Sequence, residues 1–394
     1  MKLQKIAVIG GGIGGLASAI FLSRLNYEVT VFEKARKAGP VGAGFLLQPP
    51  GQMVLSELGV LNEIIECAVP INRLRSETVA GYKILDLHYG DLKGQARHGL
   101  GIQRSTIYDA LYSTALEIES IEFSWDSCVQ KIEVNDTSVS VYVNDELQTY
   151  DLCILTSGAN SDLADEHFDG RIKNPYQWGC MWTTINLPHD FSPDTLHQRC
   201  YRAERMMGIL PVLKVGDGYE AALYWSAKVS DMMHRDIENH SAYVKEMIEF
   251  WPETASSLET VSYPNFISAA YKDVWTPKPF KGRLVAIGDI AHGTSPQLGQ
   301  GCTMALLDSW FLASFLANDN NQLENALDEW WKTRKYQLSY IRHLSRFLTP
   351  LYQSDISCFA MFRDFIMAPA GHLSWVYNLE LKTLASELLL KKGI

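Results

Sequence analysis

Apolar and polar positions at the N-terminus predict a strand, a turn, a helix and a second strand. Lys5–Ile9 is a short apolar run rich in β-branched residues, which is typical of a buried parallel strand. Leu16–Leu25 has apolar positions at helical spacing, and Tyr27–Phe32 predicts the next strand. This β-α-β unit predicts an α/β fold with a Rossmann-like domain at the start of the chain.

The turn of this unit is rich in glycine and contains the pattern G-x-G-x-x-G. Gly10 permits a tight turn, Gly12 lets a phosphate approach the backbone, and Gly15 lets the helix pack closely on the strand. The start of the following helix supplies free N–H groups and positive potential. The segment Gly10–Gly15 therefore predicts a dinucleotide site, of which Ile13 and Gly14 are also part.

An acidic residue follows the second strand at the position that a ribose-binding carboxylate occupies. Glu33 lies 18 residues after Gly15, close to the expected offset of about 20 residues. Arg36 could reach the same nucleotide, although a solvated surface arginine is the ordinary alternative. By itself, the unit does not distinguish FAD from NAD.

A second strand–loop–helix unit lies in Arg283–Ala317. Its strand, Leu284–Ile287, ends at Gly288-Asp289, where an acid can bind sugar-like hydroxyls. Gly299-Gln300-Gly301 opens a long apolar helix whose first backbone amides can lie beside a planar ring that carries partial negative charge. An ordinary connection without a ligand is the alternative.

The segments between these units predict helices and an antiparallel sheet. A glycine-rich loop in Ala38–Gly59 leads to a helix from about Gly51 to Leu58, and Ser105 is a plausible N-cap for a helix within Ile102–Leu116. The part from Tyr176 to Ala227 alternates and is rich in aromatic residues, with Asp217-Gly218 as a hairpin signal. Further strands are expected in Ser76–Tyr89.

The C-terminal part predicts a long helix followed by an aromatic tail. Leu323–Leu348 is amphipathic and basic, so it could lie on a membrane or form a dimer, but packing across two domains is the favoured interpretation. Pro350 and Pro369 are expected to interrupt the remaining chain.

Composition excludes several classes of protein. The 394 residues suit two domains or one elaborated domain, and 47% apolar residues exclude wholesale disorder. A net charge of −10 disfavours nucleic acid as a partner. Seven scattered cysteines without a C-x-x-C pair suit a reducing compartment, and neither a metal-ligand spacing nor a membrane span is found. We expect a cytoplasmic protein.

Together these motifs resemble the class A FAD-dependent aromatic hydroxylases, of the 4-hydroxybenzoate hydroxylase type. The resemblance spans about Lys5 to Leu348, with a poorly matching middle. The residues that carry it are Gly10, Gly12, Gly15 and Glu33, then Gly42, Gly44 and Arg104, and finally Gly288-Asp289, Ala291-His292, Pro296 and Gly299-Gln300-Gly301.

The resemblance implies roles for these positions. Gly10–Gly15 and Glu33 would hold the ADP part of FAD, and Arg104 would lie along the cofactor. A backbone position near Val129 would face the adenine, and Asp289 would bind the ribityl chain. The loop Pro296–Gly301 would line the isoalloxazine.

The resemblance also implies a domain organisation. A discontinuous FAD-binding domain would comprise residues 1–75, 96–174 and 276–320, with an inserted, mostly antiparallel substrate domain at 76–95 and 175–275. A C-terminal helical region would follow at 321–394. The substrate sheet would lie over the flavin, so that Trp178, Trp182, Tyr224 and Trp225 would include pocket residues, although aromatic side chains on such a sheet often only pack.

The implied activity is hydroxylation of an aromatic or lipophilic molecule with O2, through a flavin C4a-hydroperoxide. Tyr224 is our candidate for orienting a polar substituent of the substrate, and Pro296 belongs to the loop at the flavin. His292 is a candidate that could equally be a structural residue of that loop. A flavin-dependent halogenase, an oxidase, or a flavin-binding protein without turnover are the alternatives.

One departure from the family bears on the reductant. Where the family usually has Gly-Ala-Asp-Gly, this chain has Gly158-Ala159-Asn160-Ser161. NADH or NADPH remains the expected reductant, but the missing carboxylate puts it in doubt. The resemblance leaves both a monomer and a homodimer open, and the C-terminal helices leave membrane association as an alternative.

Overall fold

The computed structural model describes residues 3–36, 39, 44–92, 97–233, 240–261, 265–318 and 322–388. The strands, in chain order, are β1 (Lys5–Ile9), β2 (Glu28–Phe32), β3 (Phe45–Leu47), β4 (Val69–Ile71), β5 (Arg73–Thr78), β6 (Lys83–His88), β7 (Gly99–Ile102), β8 (Ile121–Ser124), β9 (Val129–Val134), β10 (Val139–Val143), β11 (Glu146–Tyr150), β12 (Leu152–Leu155), β13 (Ile172–Asn186), β14 (Thr195–Tyr201), β15 (Arg205–Val215), β16 (Gly218–Lys228), β17 (Ile267–Trp275), β18 (Phe280–Lys281) and β19 (Leu284–Ala286).

The α-helices, in chain order, are α1 (Ile13–Ser23), α2 (Pro49–Leu58), α3 (Leu61–Cys67), α4 (Arg104–Leu116), α5 (Val229–Met233), α6 (His240–Phe250), α7 (Ala255–Leu258), α8 (Asp289–His292), α9 (Gly301–Leu316), α10 (Leu323–Tyr352), α11 (Ser357–Phe362), α12 (Ala368–Ala370) and α13 (Ser374–Leu384). Short 3-10 turns are formed by Tyr89–Asp91, Pro252–Thr254 and Pro296–Leu298, and Arg363–Met367 is a π-helical turn.

The sheet that the N-terminal pattern predicts has six strands in the order β18-β19-β12-β1-β2-β8, and all but the β18 edge run parallel. β1 lies at its centre, and four of its five residues are buried, which is why the sequence there is continuously apolar. Helices α1 and α9 pack together on one face of the sheet within the largest apolar cluster. The α/β fold with a Rossmann-like domain is thereby confirmed.

A second, larger sheet has the order β17-β13-β16-β15-β14-β5-β6. It is antiparallel except where β14 pairs with β5. The two strands in the region of Ser76–Tyr89 are therefore part of this sheet, as the sequence predicts. The domain boundaries themselves stay predictions.

Several local predictions require correction. Ser105 is not the N-cap of α4, because the helix begins at Arg104 and Gln103 occupies the cap without a side-chain bond. The β15–β16 hairpin turns at Gly216-Asp217, one residue before the predicted turn, because Val215 pairs with Gly218. Gly216 adopts a φ of +56°, which glycine accommodates without strain.

Pro350 does not interrupt the long C-terminal helix, which continues to Tyr352. The proline lies in the last turn, so it removes only one backbone hydrogen bond close to the point where the helix ends. Pro369 also lies within a short helix, Ala368–Ala370.

Helix α10 contacts helix α9, which packs on the first sheet, and strand β17 of the second sheet. Its Trp330 donates a hydrogen bond to the carbonyl of Asp308 in α9, at 3.2 Å. Farther along, Arg342 forms a buried ion pair with Asp273 of β17, at 3.2 Å. Within the described residues, no helix has the length and apolar composition that a membrane span requires.

Candidate functional site

The glycine-rich turn between β1 and α1 combines crowded positions with an open one. Gly10 has a φ of +112°, and a Cβ atom there would lie 2.8 Å from the backbone of Thr156. A Cβ atom on Gly15 would lie 2.0 Å from the carbonyl oxygen of Gly10. Among the described residues, no atom beyond the chain neighbours of Gly12 lies within 4 Å of a Cβ placed there. The turn is thus tightly built but open at the start of α1, where a phosphate would approach the backbone.

Glu33 lies directly after β2 and faces this turn. Its carboxylate accepts hydrogen bonds from the backbone N–H groups of Gly11 at 2.8 Å and Ala35 at 2.9 Å. Arg36, in contrast, is exposed and lies 3.7 Å from Asp126. The geometry therefore places Glu33 at the glycine turn, whereas Arg36 has the position of a surface arginine.

The second glycine motif also leaves open space beside the backbone. Gly299 has a φ of +61°, and a Cβ placed there would have no atom within 4 Å in the described part of the chain beyond its own chain neighbours. A Cβ on Gly301, the first residue of α9, would lie 3.5 Å from Oδ1 of Asp289. The exposed carboxylate of Asp289 is therefore close to the start of α9.

Arg104 belongs to the same neighbourhood, although it is distant in sequence. Burial raises the pKa of the Cys302 thiol to about 12, while the charge of Arg104 lowers this pKa and that of Asp289 raises it. Both charges therefore lie near the second residue of α9. Arg104 is exposed at the beginning of α4, so its guanidinium is accessible to a ligand.

Two further predicted positions, Gly44 and Val129, are buried inside the protein. A Cβ on Gly44 would lie 2.4 Å from Cγ1 of Val212, so a side chain there would collide with β15. Val129 begins β9 and is buried. Gly42 lies outside the described residues.

His292 is part of a buried network around Asp308. Its Nε2 lies 2.5 Å from Oδ2 of Asp308, which also accepts a hydrogen bond from the backbone N–H of Gly288 at 3.1 Å. The other oxygen accepts a hydrogen bond from Nε of Arg334 at 2.8 Å. Burial alone would raise the pKa of Asp308, but His292 and Arg334 together hold this pKa below its usual value. The network fixes the backbone directly before Asp289.

The side chain of Gln300 is also occupied within the protein. It is buried, its Nε2 donates to the carbonyl of Leu384 at 2.9 Å, and its Oε1 accepts a hydrogen bond from Ser386. Only the backbone of Gln300 is therefore available to a cofactor.

A cavity of about 400 Å³ lies beside this second motif. Its wall combines Pro296–Gly299 of the loop, the faces of β14–β16, and residues of α10 and the helices that follow it. The C-terminal contribution consists of Tyr340, Leu344, Leu348, Tyr352, Arg363, Met367, Ala368, Val376, Leu379, Glu380, Thr383 and Leu384. Most of the wall is apolar, which suits a largely apolar ligand.

Only some of the predicted aromatic residues face the cavity. Trp182 and Tyr224 line it, and their rings pack edge to face across β13 and β16 at 4.9 Å. Trp225 points to the opposite face, where it packs against Phe250, because neighbouring strand residues alternate. Trp178 is buried without lining the cavity.

The hydroxyl of Tyr224 is held by a side chain of the C-terminal helix end. Nε2 of Gln353 donates to this hydroxyl at 2.9 Å and to the carbonyl of Gly179 at 3.0 Å. Oε1 of Gln353 accepts a hydrogen bond from Gln297, at 3.1 Å. Gln353 thereby connects the loop Pro296–Leu298 with the sheet, and burial raises the pKa of Tyr224 well above its usual value.

Sequence reasoning missed two charged residues of this region. Asp308 is a lone charge inside the apolar run of α9, and Arg363 is a lone cation within an aromatic segment. A charge in such a setting signals a buried partner or a ligand. The isolated arginine in the aromatic C-terminal segment was therefore a sequence signal that could have identified Arg363.

Comparison with known proteins gives a consistent family and fold. The FAD binding domain family matches residues 4–334. The putative FAD-dependent monooxygenase YetM of Bacillus subtilis is 25% identical over 358 residues, which are 87% of this chain and 92% of YetM. The 3-hydroxybenzoate 6-hydroxylase of Polaromonas naphthalenivorans is 24% identical over 377 residues, covering 89% of this chain and 88% of that enzyme.

Solved structures share the whole fold. Klebsiella pneumoniae HpxO, complexed with FAD and uric acid, superposes with a TM-score of 0.83 at 18% identity and covers 98% of both chains. The p-nitrophenol 4-monooxygenase PnpA of Pseudomonas putida superposes with a TM-score of 0.78 at 16% identity, covering 100% of both chains. The likeness extends through the C-terminal helices.

Proposed function

The chain belongs to the FAD binding domain family and is an FAD-dependent monooxygenase, and on that premise we propose that it hydroxylates an aromatic or lipophilic molecule held in the cavity. The observation that carries this proposal is the position of the cavity, whose wall includes the loop Pro296–Gly299 of the second glycine motif. A substrate in the cavity would therefore lie directly beside the site of the flavin ring.

The residues present fit FAD at both ends of the site. The open backbone at Gly12 and the start of α1 would hold the phosphates, and Glu33 would accept hydrogen bonds from ribose hydroxyls. Asp289 would bind the ribityl chain, and the open backbone at Gly299 would adjoin the ring. Bound FAD, once reduced, supplies the activation of O2 and the insertion of one oxygen atom.

The protein's own contribution is to position the substrate and exclude water. The apolar wall of the cavity removes water from the substrate, while the Gln353 amide fixes the hydroxyl of Tyr224. Since this hydroxyl accepts a hydrogen bond from Gln353, its own proton is available to an oxygen of the substrate. We propose that Tyr224 orients a polar substituent of the substrate.

His292 is assigned a supporting role. Its bond to Asp308, together with the bond from Gly288, fixes the strand end that presents Asp289. Pro296 begins the short turn Pro296–Leu298, which lies between Gly288-Asp289 and Gly299. It also forms part of the cavity wall, so it would limit the substrate's approach to the flavin site.

NADH or NADPH is the proposed reductant. Asn160, in place of the acid that the family usually carries, lies exposed in the turn after β12. A neutral amide there offers hydrogen bonds but no charge. The test therefore includes both nucleotides.

For assembly we propose a monomer or a homodimer, to be measured by light scattering.

The experiment begins with purified protein reconstituted with FAD, followed by stopped-flow reduction with NADH and with NADPH. Reduced protein is then mixed with 18O2 and a panel of phenols and aromatic acids, and products are analysed by mass spectrometry. Incorporation of a single 18O atom is expected. Protein that cannot bind FAD, or that gives only hydrogen peroxide with every compound, would contradict the proposal.

A pair of aspartate variants separates site effects from general ones. Asp289→Asn should weaken FAD binding at least tenfold, because the loss of a charged acceptor costs about 1.5–3 kcal/mol. Asp109→Asn, on the exposed side of α4, is the matched control and should bind FAD as the wild type does. Equal FAD affinities in both variants would remove Asp289 from the assigned site.

A further inference from the structure

The last turn of α13 is buried, whereas its first turn is exposed. Leu381 is fully buried, while Trp375 is 68% exposed. The helix ends at a left-handed residue, since Ser386 has a φ of +59° and the N–H of Glu387 donates to the carbonyl of Lys382 at 2.9 Å. This is the Schellman ending of a helix, with serine at the position where glycine is preferred.

A side chain of the second glycine motif completes this helix end. Nε2 of Gln300 donates a hydrogen bond to the carbonyl of Leu384 at 2.9 Å, and its Oε1 accepts a hydrogen bond from the hydroxyl of Ser386. The last carbonyls of a helix have no partner within the helix, so a side-chain donor at that point stabilises it. Gln300 and Ser386 are both buried, so these bonds lie away from water. Gln300 therefore caps the C-terminus of α13 from outside the helix.

The same end of α13 is also tied to the buried network around Asp308. Nε2 of Gln337 donates to the carbonyl of Ser386 at 3.1 Å, and its Oε1 accepts a hydrogen bond from Nη1 of Arg334. Arg334 in turn is paired with Asp308, which accepts the hydrogen bond from the N–H of Gly288. A continuous chain of hydrogen bonds thus connects both halves of the second glycine motif through the end of α13.

The second glycine motif therefore meets α13 on one side and the proposed flavin site on the other. The backbone at Gly299 is open, whereas the side chain of the next residue, Gln300, is bound to α13. A ligand that fixes this backbone would also fix the amide that caps the helix. Helix α13 in turn contributes part of the cavity wall, namely Val376, Leu379, Glu380, Thr383 and Leu384.

We propose that Gln300 couples FAD binding to the docking of α13, so that the cofactor and the C-terminal wall of the cavity stabilise each other. Gln300 and Ser386 are positioning residues in this coupling, because their side chains bind each other and act on the cofactor only through the backbone of the loop. The inference rests on the proposed place of the flavin beside Gly299, and it is independent of the reaction. Coupling between two sites is reciprocal, so it can be measured from either side.

Variants of Ser386 test the coupling from the cofactor side, by calorimetric titration of the apoprotein with FAD. Ser386→Ala removes the bond to Gln300, and its FAD affinity should fall roughly 3- to 10-fold, as expected for one neutral hydrogen bond. Ser386→Gly removes the same bond but suits the left-handed backbone, so it should weaken FAD binding although it favours the helix end. Ser374→Ala, at the exposed start of α13, is the matched control and should bind FAD as the wild type does.

Hydrogen exchange tests the coupling from the side of α13. The N–H groups of Ala385, Ser386 and Glu387 donate to carbonyls of the last turn, so their exchange rates report its docking. Saturating FAD should slow this exchange in the wild type by more than it slows exchange in α3, which serves as the reference for general stabilisation of the fold. In Ser386→Ala, the additional slowing should shrink by about the factor by which FAD affinity falls.

A double variant tests whether the two residues act through one contact. Gln300→Leu removes both of its bonds at the end of α13 and should weaken FAD binding at least as much as Ser386→Ala does. Adding Ser386→Ala to it should cost little further affinity, because residues that share one contact do not act additively. If Gln300→Leu does not fold, the two single variants of Ser386 decide the question.

The outcomes separate this inference from the proposed function. Unchanged FAD affinity in both Ser386 variants, equal slowing of exchange in α13 and α3, or fully additive losses in the double variant would each overturn the coupling. None of these results bears on hydroxylation, which is measured by 18O incorporation. A protein in which FAD and α13 are coupled but no 18O is inserted would support the coupling and contradict the hydroxylase proposal.

Discussion

Replacing Asp308 with alanine is predicted to destabilise the protein severely. Both Asp308 and Arg334 have side chains that are 1% exposed, and Nε of Arg334 lies 2.8 Å from Oδ1 of Asp308. Without the carboxylate, the guanidinium would keep, among the described residues, a bond to Gln337 and two weak contacts at 3.4 Å, to the carbonyl and to Sδ of Met304. Removing one partner of a buried ion pair costs about 3–5 kcal/mol, because the other charge stays buried and uncompensated.

The measurement is urea unfolding of the FAD-loaded protein, followed by circular dichroism. Free FAD must be saturating for every variant, because a ligand that binds only the native state adds to its apparent stability. Asp109→Ala, on the exposed side of α4, is the matched control and should change the free energy of unfolding by no more than about 0.5 kcal/mol.

A double variant tests the cause of the loss. Asp308→Leu combined with Arg334→Met replaces the pair by apolar side chains of similar volume, a change that is often neutral or stabilising. We expect it to recover the part of the loss that comes from the unpaired charge of Arg334, whereas Nε2 of His292 and the N–H of Gly288 still lose their acceptor. The reasoning is refuted if Asp308→Ala is no less stable than the surface control, or if the double variant is as unstable as the single one.

Three other predictions concern the cofactor turn, the sheet and pH. Gly15→Ala should abolish FAD binding, measured by bound flavin absorbance, since its methyl would lie 2.0 Å from the oxygen of Gly10. Trp225→Ala should lower the free energy of unfolding by about 3–5 kcal/mol, whereas Trp182→Ala should chiefly change substrate KM, because only Trp182 lines the cavity. Since the folded-state pKa of Asp308 is lowered, its contribution to stability is present above the unfolded pKa of about 4 and is lost as the pH falls through the folded value. In acid unfolding curves, the wild type should therefore lose more stability below about pH 5 than the double variant.

The sequence predicted those parts of the site that depend on local backbone chemistry. Gly10 and Gly15 stand where a side chain would collide with neighbouring backbone, and Gly12 and Gly299 stand where the backbone is open. Such requirements act on single residues at fixed spacing, so they are visible in one sequence. The strand β1 was predicted with its exact bounds for a similar reason, since it is buried on both faces.

Contacts between residues distant in the chain were not predictable in this way. The apolar run of α9 showed Asp308 as an isolated charge, but nothing in the spacing revealed that Arg334 would lie opposite it. Similarly, alternation along β16 predicts that Tyr224 and Trp225 face opposite sides, but not which side borders the cavity. Which side borders the cavity depends on where α10 and the helices that follow it pack.

The position of the C-terminal helices explains why the family is clear while the substrate is not. The family match ends at residue 334, and both glycine motifs lie within it. Tyr340, Leu344, Leu348, Tyr352 and Arg363 all lie beyond this point, and all line the cavity. Both glycine motifs proposed to hold FAD therefore lie in the part of the chain that defines the family, whereas many residues of the proposed substrate cavity lie outside it. Differences in substrate between this protein and its relatives should accordingly follow differences in these helices.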